Sequence, residues 1–298
     1  MTNTTYPFSP QGLKLRWLNV QSYEIKLSNG KVILFDPQLS DPVSSDDRAK
    51  YYRIPERFHL DKNSVERVDY LILNHSHCDH LIDLGYFVHK FNPLVICHQC
   101  AAYELAKAFD IPFTSIYPGG DQEMHAFEDF TLYTFHGSHM PQDFIYSSMP
   151  NIMEKSYGVN GVGMHEIGHL GGIFNMNYGI CTRENLRLGF WAGRMDQLAY
   201  PVLKQLADFR PNVLLRQIPT RLPEQAADIL AEELQALGAQ LMLPMHHEMF
   251  EIQYPDFLPE LFSNINQQLE QRSCTGRALL PVRGEWYQIG VCMSPLQL

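Results

Sequence analysis

Within six residues, His75-Ser-His77-Cys-Asp79-His80, the chain places four imidazole and carboxylate groups able to bind a metal ion. The apolar run Val68 to Leu73 leads straight into them, so the segment reads as a strand, a loop and the start of a helix. In that arrangement His75 and His77 can turn toward one point, and Asp79 and His80 toward a second. Imidazole and carboxylate together suit zinc, with iron or manganese as alternatives. A solvated loop seldom gathers four such groups at this spacing, so chance enrichment in histidine is the weaker reading.

A length of 298 residues allows one large domain or two small ones. With 45% hydrophobic and 19% charged residues, the chain can build a sizeable core and is not broadly disordered. Its formal net charge of −10 and its lack of a Lys/Arg cluster make nucleic acid an unexpected partner. No basic stretch followed by an apolar run marks the N-terminus as an export signal, and no run reaches the ~18 apolar residues of a membrane helix. The six cysteines, at 78, 97, 100, 181, 274 and 292, are therefore expected as reduced thiols in the cytoplasm. A homodimer is the default expectation for assembly.

Strands are expected over 13–19, 22–27 and 31–35, with Asn29-Gly30 turning the second into the third. After the irregular stretch 38–64 come a strand over 68–73, a helix over 79–90, a strand over 94–96 and a helix over 101–109. In the second half, strands are expected over 130–135, 172–178, 186–191, 213–218 and 239–244. Helices are expected over 195–209, 223–237 and 257–271. Hairpins followed by alternating strands and helices, twice over, predict a layered α/β/β/α sandwich. One domain over 1–298 is expected, with its core at about 12–250 and a C-terminal helix and tail over 251–298. Histidine and carboxylate groups recur at strand ends, at His75 to His80, His136/His139, Asp196 and His246, where loops can converge on one site.

These residues resemble the metallo-beta-lactamase-fold superfamily, with its four-layer αββα sandwich. The likeness rests on His75-Ser-His77-Cys-Asp79-His80, on His139 and His246 after later strands, and on Asp36-Pro37 closing the third strand. Asn74 to Asp83 (NHSHCDHLID) looks especially like the branch holding N-acyl-phosphatidylethanolamine phospholipase D and the ascorbate-6-phosphate lactonases. The resemblance implies a first metal on His75, His77 and His139, and a second on Asp79, His80 and His246. His247 competes with His246 for the last place, and the family position favours His246. The family also uses an aspartate that bridges the two metals. Here Arg194 stands at that place in Phe190-Trp-Ala-Gly-Arg-Met-Asp196, and Asp196 is the local substitute. Arg194 reads equally as a structural ion-pair partner and as a fork for an anionic substrate group.

His165-Glu166-Ile-Gly-His169 spells HExxH, but the glycines around and within it oppose a protease helix. It reads better as a loop whose Glu166 or His169 can approach the metal site. Cys97-His-Gln-Cys100 is a bare CxxC, for which buried thiols are the default and redox or zinc binding the alternatives. The expected activity is metal-dependent hydrolysis of a small-molecule lactone, amide or phosphodiester by a metal-activated water. Asp79, His169 and Arg194 are the candidate catalytic groups, and one or two zinc ions the cofactor. An iron-dependent oxygenase and a non-catalytic metal-stabilised binding protein are the competing expectations.

Overall fold

The computed structural model describes residues 12–40, 55–76, 78–137, 175–193, 200–218 and 222–290. The first sheet opens with an antiparallel run of β1 (Gly12–Asn19), β2 (Ser22–Lys26) and β3 (Val32–Phe35). To it β4 (Tyr70–Ile72), β5 (Leu94–His98) and β6 (Ile116–Gly119) add in parallel. The second sheet runs antiparallel through β7 (Met124–Ala126), β8 (Phe130–His136), β9 (Met176–Thr182) and β10 (Arg187–Trp191). It continues in parallel with β11 (Val213–Gln217), β12 (Leu241–Met245) and β13 (Arg277–Ala278). Finally β14 (Tyr287–Gly290) returns to the first sheet and pairs antiparallel with β1.

Strand alternation explains the layers. Ile25, Ile33, Phe35, Ile72 and Ile96 point inward and meet Tyr178, Phe190, Leu215 and Leu243 of the second sheet. Their neighbours Leu34, Leu71 and Val95 point outward beneath α2 (Leu84–Phe91) and α3 (Gln99–Phe109). On the other side Leu214 and Met242 pack beneath α4 (Tyr200–Phe209), α5 (Ala226–Leu237) and α7 (Phe257–Gln271). Both faces of each sheet are covered, which is why the central strands read as unbroken apolar runs. The four-layer αββα sandwich is present.

Several boundaries differ from expectation. The helix expected over 79–90 is two pieces, α1 (Cys78–Leu81) and α2. Asp83 separates them: its N–H donates to Pro37 O (3.0 Å), while its carboxylate accepts from the N–H groups of Leu39 (2.6 Å) and Ser40 (2.8 Å). The residue that would continue the helix instead anchors the loop after β3. β6 and β7 were not expected. β6 contains Pro118 and Gly119 and reads as a turn, yet as the sheet's edge strand it tolerates a missing N–H. The C-terminal segment is more than a tail, since it supplies the edge strands β13 and β14 to both sheets. Part of the strand expected over 172–178 and of the helix expected over 195–209 lies outside the described residues.

Candidate metal centre

The ends of β3, β4 and β12 meet at one edge of the sandwich, and cross-sheet hydrogen bonds hold them there. Tyr178 Oη donates to Leu73 O (2.7 Å), and Tyr23 Oη donates to Pro244 O (2.7 Å). Asn74 Nδ2 reaches Asn175 Oδ1 (2.8 Å) and Met176 O (2.5 Å), tying the end of β4 to the start of β9. His246 N–H donates to Val20 O (2.7 Å), tying the end of β12 to the β1–β2 turn. Val20, Asp36 and His246 all have positive φ, at 42°, 39° and 55°. Left-handed backbone at three non-glycine residues around one site is held by this surrounding network. Gly137 belongs to the same edge, because a Cβ there would lie 2.2 Å from Asn175 O.

Each described histidine of the site is oriented through Nδ1. His80 Nδ1 donates to Asp36 Oδ2 (2.9 Å), His75 Nδ1 lies 3.0 Å from Asn74 Oδ1, and His246 Nδ1 lies 3.2 Å from Glu248 Oε1. Asp36 is itself fully buried and also accepts from the Asn74 N–H (2.7 Å) and Gln21 Nε2 (2.9 Å). Burial raises the Asp36 pKa, and His80 and the Asn74 N–H counter part of that rise. A ring fixed through one nitrogen presents the other, the arrangement that prepares imidazole for a metal.

Those second nitrogens converge. Asp79, His80 and His246 offer ligand atoms that all lie within 4.8 Å of one another. Asp79 Oδ2 is 3.1 Å from His246 Nε2 and 3.6 Å from His80 Nε2. A tetrahedral zinc with bonds near 2.0–2.1 Å would separate its ligands by about 3.3 Å. The His80 Nε2 is buried and makes no hydrogen bond among the described residues. Burial alone would lower the His246 pKa, but Glu248 and Asp79 together raise it well above its ordinary value. A cation in the cluster would take the place of that proton. The donor set therefore fits a divalent ion. The His75 ring stands 3.9 Å from that of His80, centroid to centroid, so it adjoins the same cluster.

The two neighbours of ambiguous role separate clearly. His247 is 1% exposed and turns away, its ring tilted against that of Trp17 with centroids 4.0 Å apart. His136 is at the surface, with Nδ1 2.9 Å from Asp121 Oδ2. His77, His139, Glu166, His169, Arg194 and Asp196 lie outside the described residues. The segment leading to Arg194 is anchored by Arg216, whose guanidinium donates to Gly193 O (3.0 Å) and Gln217 O (2.9 Å) and lies 4.2 Å from the Trp191 ring. The CxxC is split. Cys97 is buried and pushed up to about 12 by desolvation, while Cys100 is exposed. Both are free thiols, as are Cys181 and Cys274. Glu248 is the site residue that sequence reasoning missed. Its only signal was a carboxylate two positions after His246.

A model of the metallo-beta-lactamase superfamily matches residues 15–143. A UPF0173 metal-dependent hydrolase of Thermodesulfovibrio yellowstonii is 29% identical over 68 residues, covering 23% of this chain and 21% of that protein. The chain thus matches about a fifth of that relative's length. Igni18, a metallo hydrolase from Ignicoccus hospitalis, superposes with a TM-score of 0.60 at 12% identity, over 94% of this chain and 99% of its own. CmlA, a diiron β-hydroxylase from Streptomyces venezuelae, superposes with a TM-score of 0.56 at 12% identity, over 95% of this chain and 55% of its own. The paired sheets, the Asp79/His80/His246 cluster at their edge and the match over the segment that carries the histidine motif agree: this chain has the metallo-beta-lactamase-type fold, and its residues 15–143 are similar to the metallo-beta-lactamase superfamily.

Proposed function

We propose that this chain is a metal-dependent hydrolase acting on a small molecule. The observation that carries the reading is the buried Nε2 of His80, which makes no hydrogen bond among the described residues and faces Asp79 and His246. Asp79, His80 and His246 would hold one ion, and His75, His77 and His139 a second. Zinc is the preferred ion, with iron or manganese as alternatives. A divalent ion bound there lowers the pKa of a water and polarises a carbonyl or phosphoryl oxygen. Asp79 accepts a hydrogen bond from the attacking water and orients it. Asp36 and Glu248 keep His80 and His246 in the tautomer whose Nε2 faces the site. Arg194 would grip an anionic group of the substrate through its planar fork, Asp196 would supply the displaced bridging carboxylate, and His169 would contact the substrate.

The motif's likeness to the phospholipase and lactonase branch favours a lactone or a phosphodiester over an amide. The test is hydrolysis of one representative of each bond class by purified protein, before and after chelation and after zinc is restored. Turnover that vanishes with the chelator and returns with zinc is expected for a lactone or phosphodiester. No metal-dependent turnover in any class would overturn the reading. Bound iron with a coloured absorption band would favour oxygenase chemistry instead.

A further inference from the structure

β1 and β2 are joined by a turn of two residues, Val20 and Gln21. Gln21 and its neighbours Asn19 and Ser22 are fully buried, so the turn is polar yet shut off from solvent. Val20 is β-branched and stands at a φ of 42°, where such residues are rare. Its carbonyl accepts from the His246 N–H (2.7 Å) and from Trp17 Nε1 (3.1 Å), and these bonds offset the strain. His246 lies between β12 and α6 (Glu248–Gln253), on the second sheet's side of the site. Gln21 reaches the first sheet's side. Its Nε2 donates to Asp36 Oδ2 (2.9 Å), the oxygen that also receives His80 Nδ1 (2.9 Å). One two-residue turn therefore braces both histidines whose Nε2 atoms face Asp79.

Two features set Gln21 apart from an ordinary core residue. The first concerns the Asp36 carboxylate, whose plane turns about a soft torsion and is not fixed by its own rotamer. Donors fix it instead: the Asn74 N–H on Oδ1 (2.7 Å), with Gln21 Nε2 and His80 Nδ1 on Oδ2. Without Gln21, Oδ2 would be held by His80 alone, and the ring would lose an acceptor that something else keeps in place. The second feature is the other end of the amide. Gln21 Oε1 is buried and makes no hydrogen bond among the described residues. Turning the amide over would set Oε1 against a carboxylate oxygen, so the donor must face Asp36. The bonded end stabilises the fold and the unbonded end costs a comparable amount, which leaves little net gain in folding. A buried group that adds little to stability while steadying the partner of a metal ligand fits a functional site.

We propose that Gln21 is a positioning residue of the metal centre. Through Asp36 it fixes the direction in which His80 presents Nε2, while Val20 beside it fixes the backbone of His246. The proposal rests on the reading that Asp79, His80 and His246 hold a metal ion.

The test compares the unmodified chain with Gln21→Met, which keeps the length and loses the amide, and with Gln21→Asn, whose amide is one methylene too short to reach Asp36. Three quantities are read: zinc affinity by competition with a chromophoric chelator, the visible bands of the Co2+-loaded protein, and urea unfolding of the chelator-treated protein. The zinc site followed is the one that disappears in His80→Ala. Its affinity should fall about tenfold in both variants, the lower end for loss of a group behind a ligating histidine. The Co2+ bands should shift, because they report ligand geometry, and the urea midpoint of Q21M should be unchanged. Unchanged zinc affinity or unchanged Co2+ bands would overturn the proposal and leave the metal centre standing. So would a loss of affinity matched by an equal loss of stability in the chelator-treated protein, since Gln21 would then serve the fold. If no zinc site disappears in His80→Ala, the metal centre itself falls and the proposal with it. The same three readings from Q21N decide the matter should Q21M not fold.

Discussion

His80 gives its Nδ1 proton to the buried carboxylate of Asp36 across 2.9 Å, and this commits its Nε2 to the site. The pair links the end of β3 to the first turn of the helix after β4, so the sheet itself sets the ring's direction. Asp36→Asn keeps the shape and tolerates the positive φ of 39°. It removes one of the two oxygens that now serve His80, Gln21 and Asn74. Zinc affinity, read by competition with a chromophoric chelator, should fall about 10–100-fold while the circular dichroism spectrum is unchanged. Unaltered affinity would show that Asp36 supports the fold alone.

Glu248, at the start of the helix after β12, plays the same part for His246, at 3.2 Å. Glu248→Gln retains an acceptor and should lose less zinc affinity than Glu248→Ala, whose loss should again be about 10–100-fold. Equal affinity in E248A and the unmodified protein would remove Glu248 from the metal site.

Arg216 makes a prediction about stability rather than metal. It is fully buried, pairs with Glu233 through Nε (2.9 Å) and Nη2 (3.3 Å), and pins the backbone at Gly193. Arg216→Ala leaves Glu233 buried and unpaired, which should cost about 3–5 kcal/mol in urea unfolding. Arg216→Met combined with Glu233→Leu should recover much of that loss, because both charges are then gone. A loss below about 1 kcal/mol in R216A would mean the pair is solvated in solution.

The two cysteines of the CxxC should differ in reactivity. With its pKa pushed up to about 12, Cys97 is a protonated thiol at pH 8, and alkylation of it should be negligible until the pH approaches that value. The exposed Cys100 should react first. Mass-spectrometric mapping of iodoacetamide adducts across pH checks the order. Equal labelling of Cys97 at pH 8 would reopen a redox role for the motif.

Most of the layer plan was legible because burial on both sheet faces leaves a direct trace, as in VILF of β3 and VLLRQ of β11. Edge strands leave little trace: β6 carries Pro118 and Gly119, and β13 and β14 exist only through pairing with distant β12 and β1. At the site, the spacing from His75 to His80 was enough to nominate ligands. Which atom of each ring faces the site was not legible. That depends on Asp36, 44 residues before His80, and on the rotamers of Asn74 and Glu248, which the folded edge sets and the sequence does not. The choice of His246 over His247 turns on a single positive φ of 55° at His246, which no local propensity announces.

The most direct test of a metal centre on this edge is an anomalous difference map at the zinc edge from crystals equilibrated with zinc. The expected result is a peak about 2.0–2.2 Å from His80 Nε2, His246 Nε2 and an Asp79 oxygen. A map with no peak in that cluster, from crystals that hold zinc elsewhere, would contradict it.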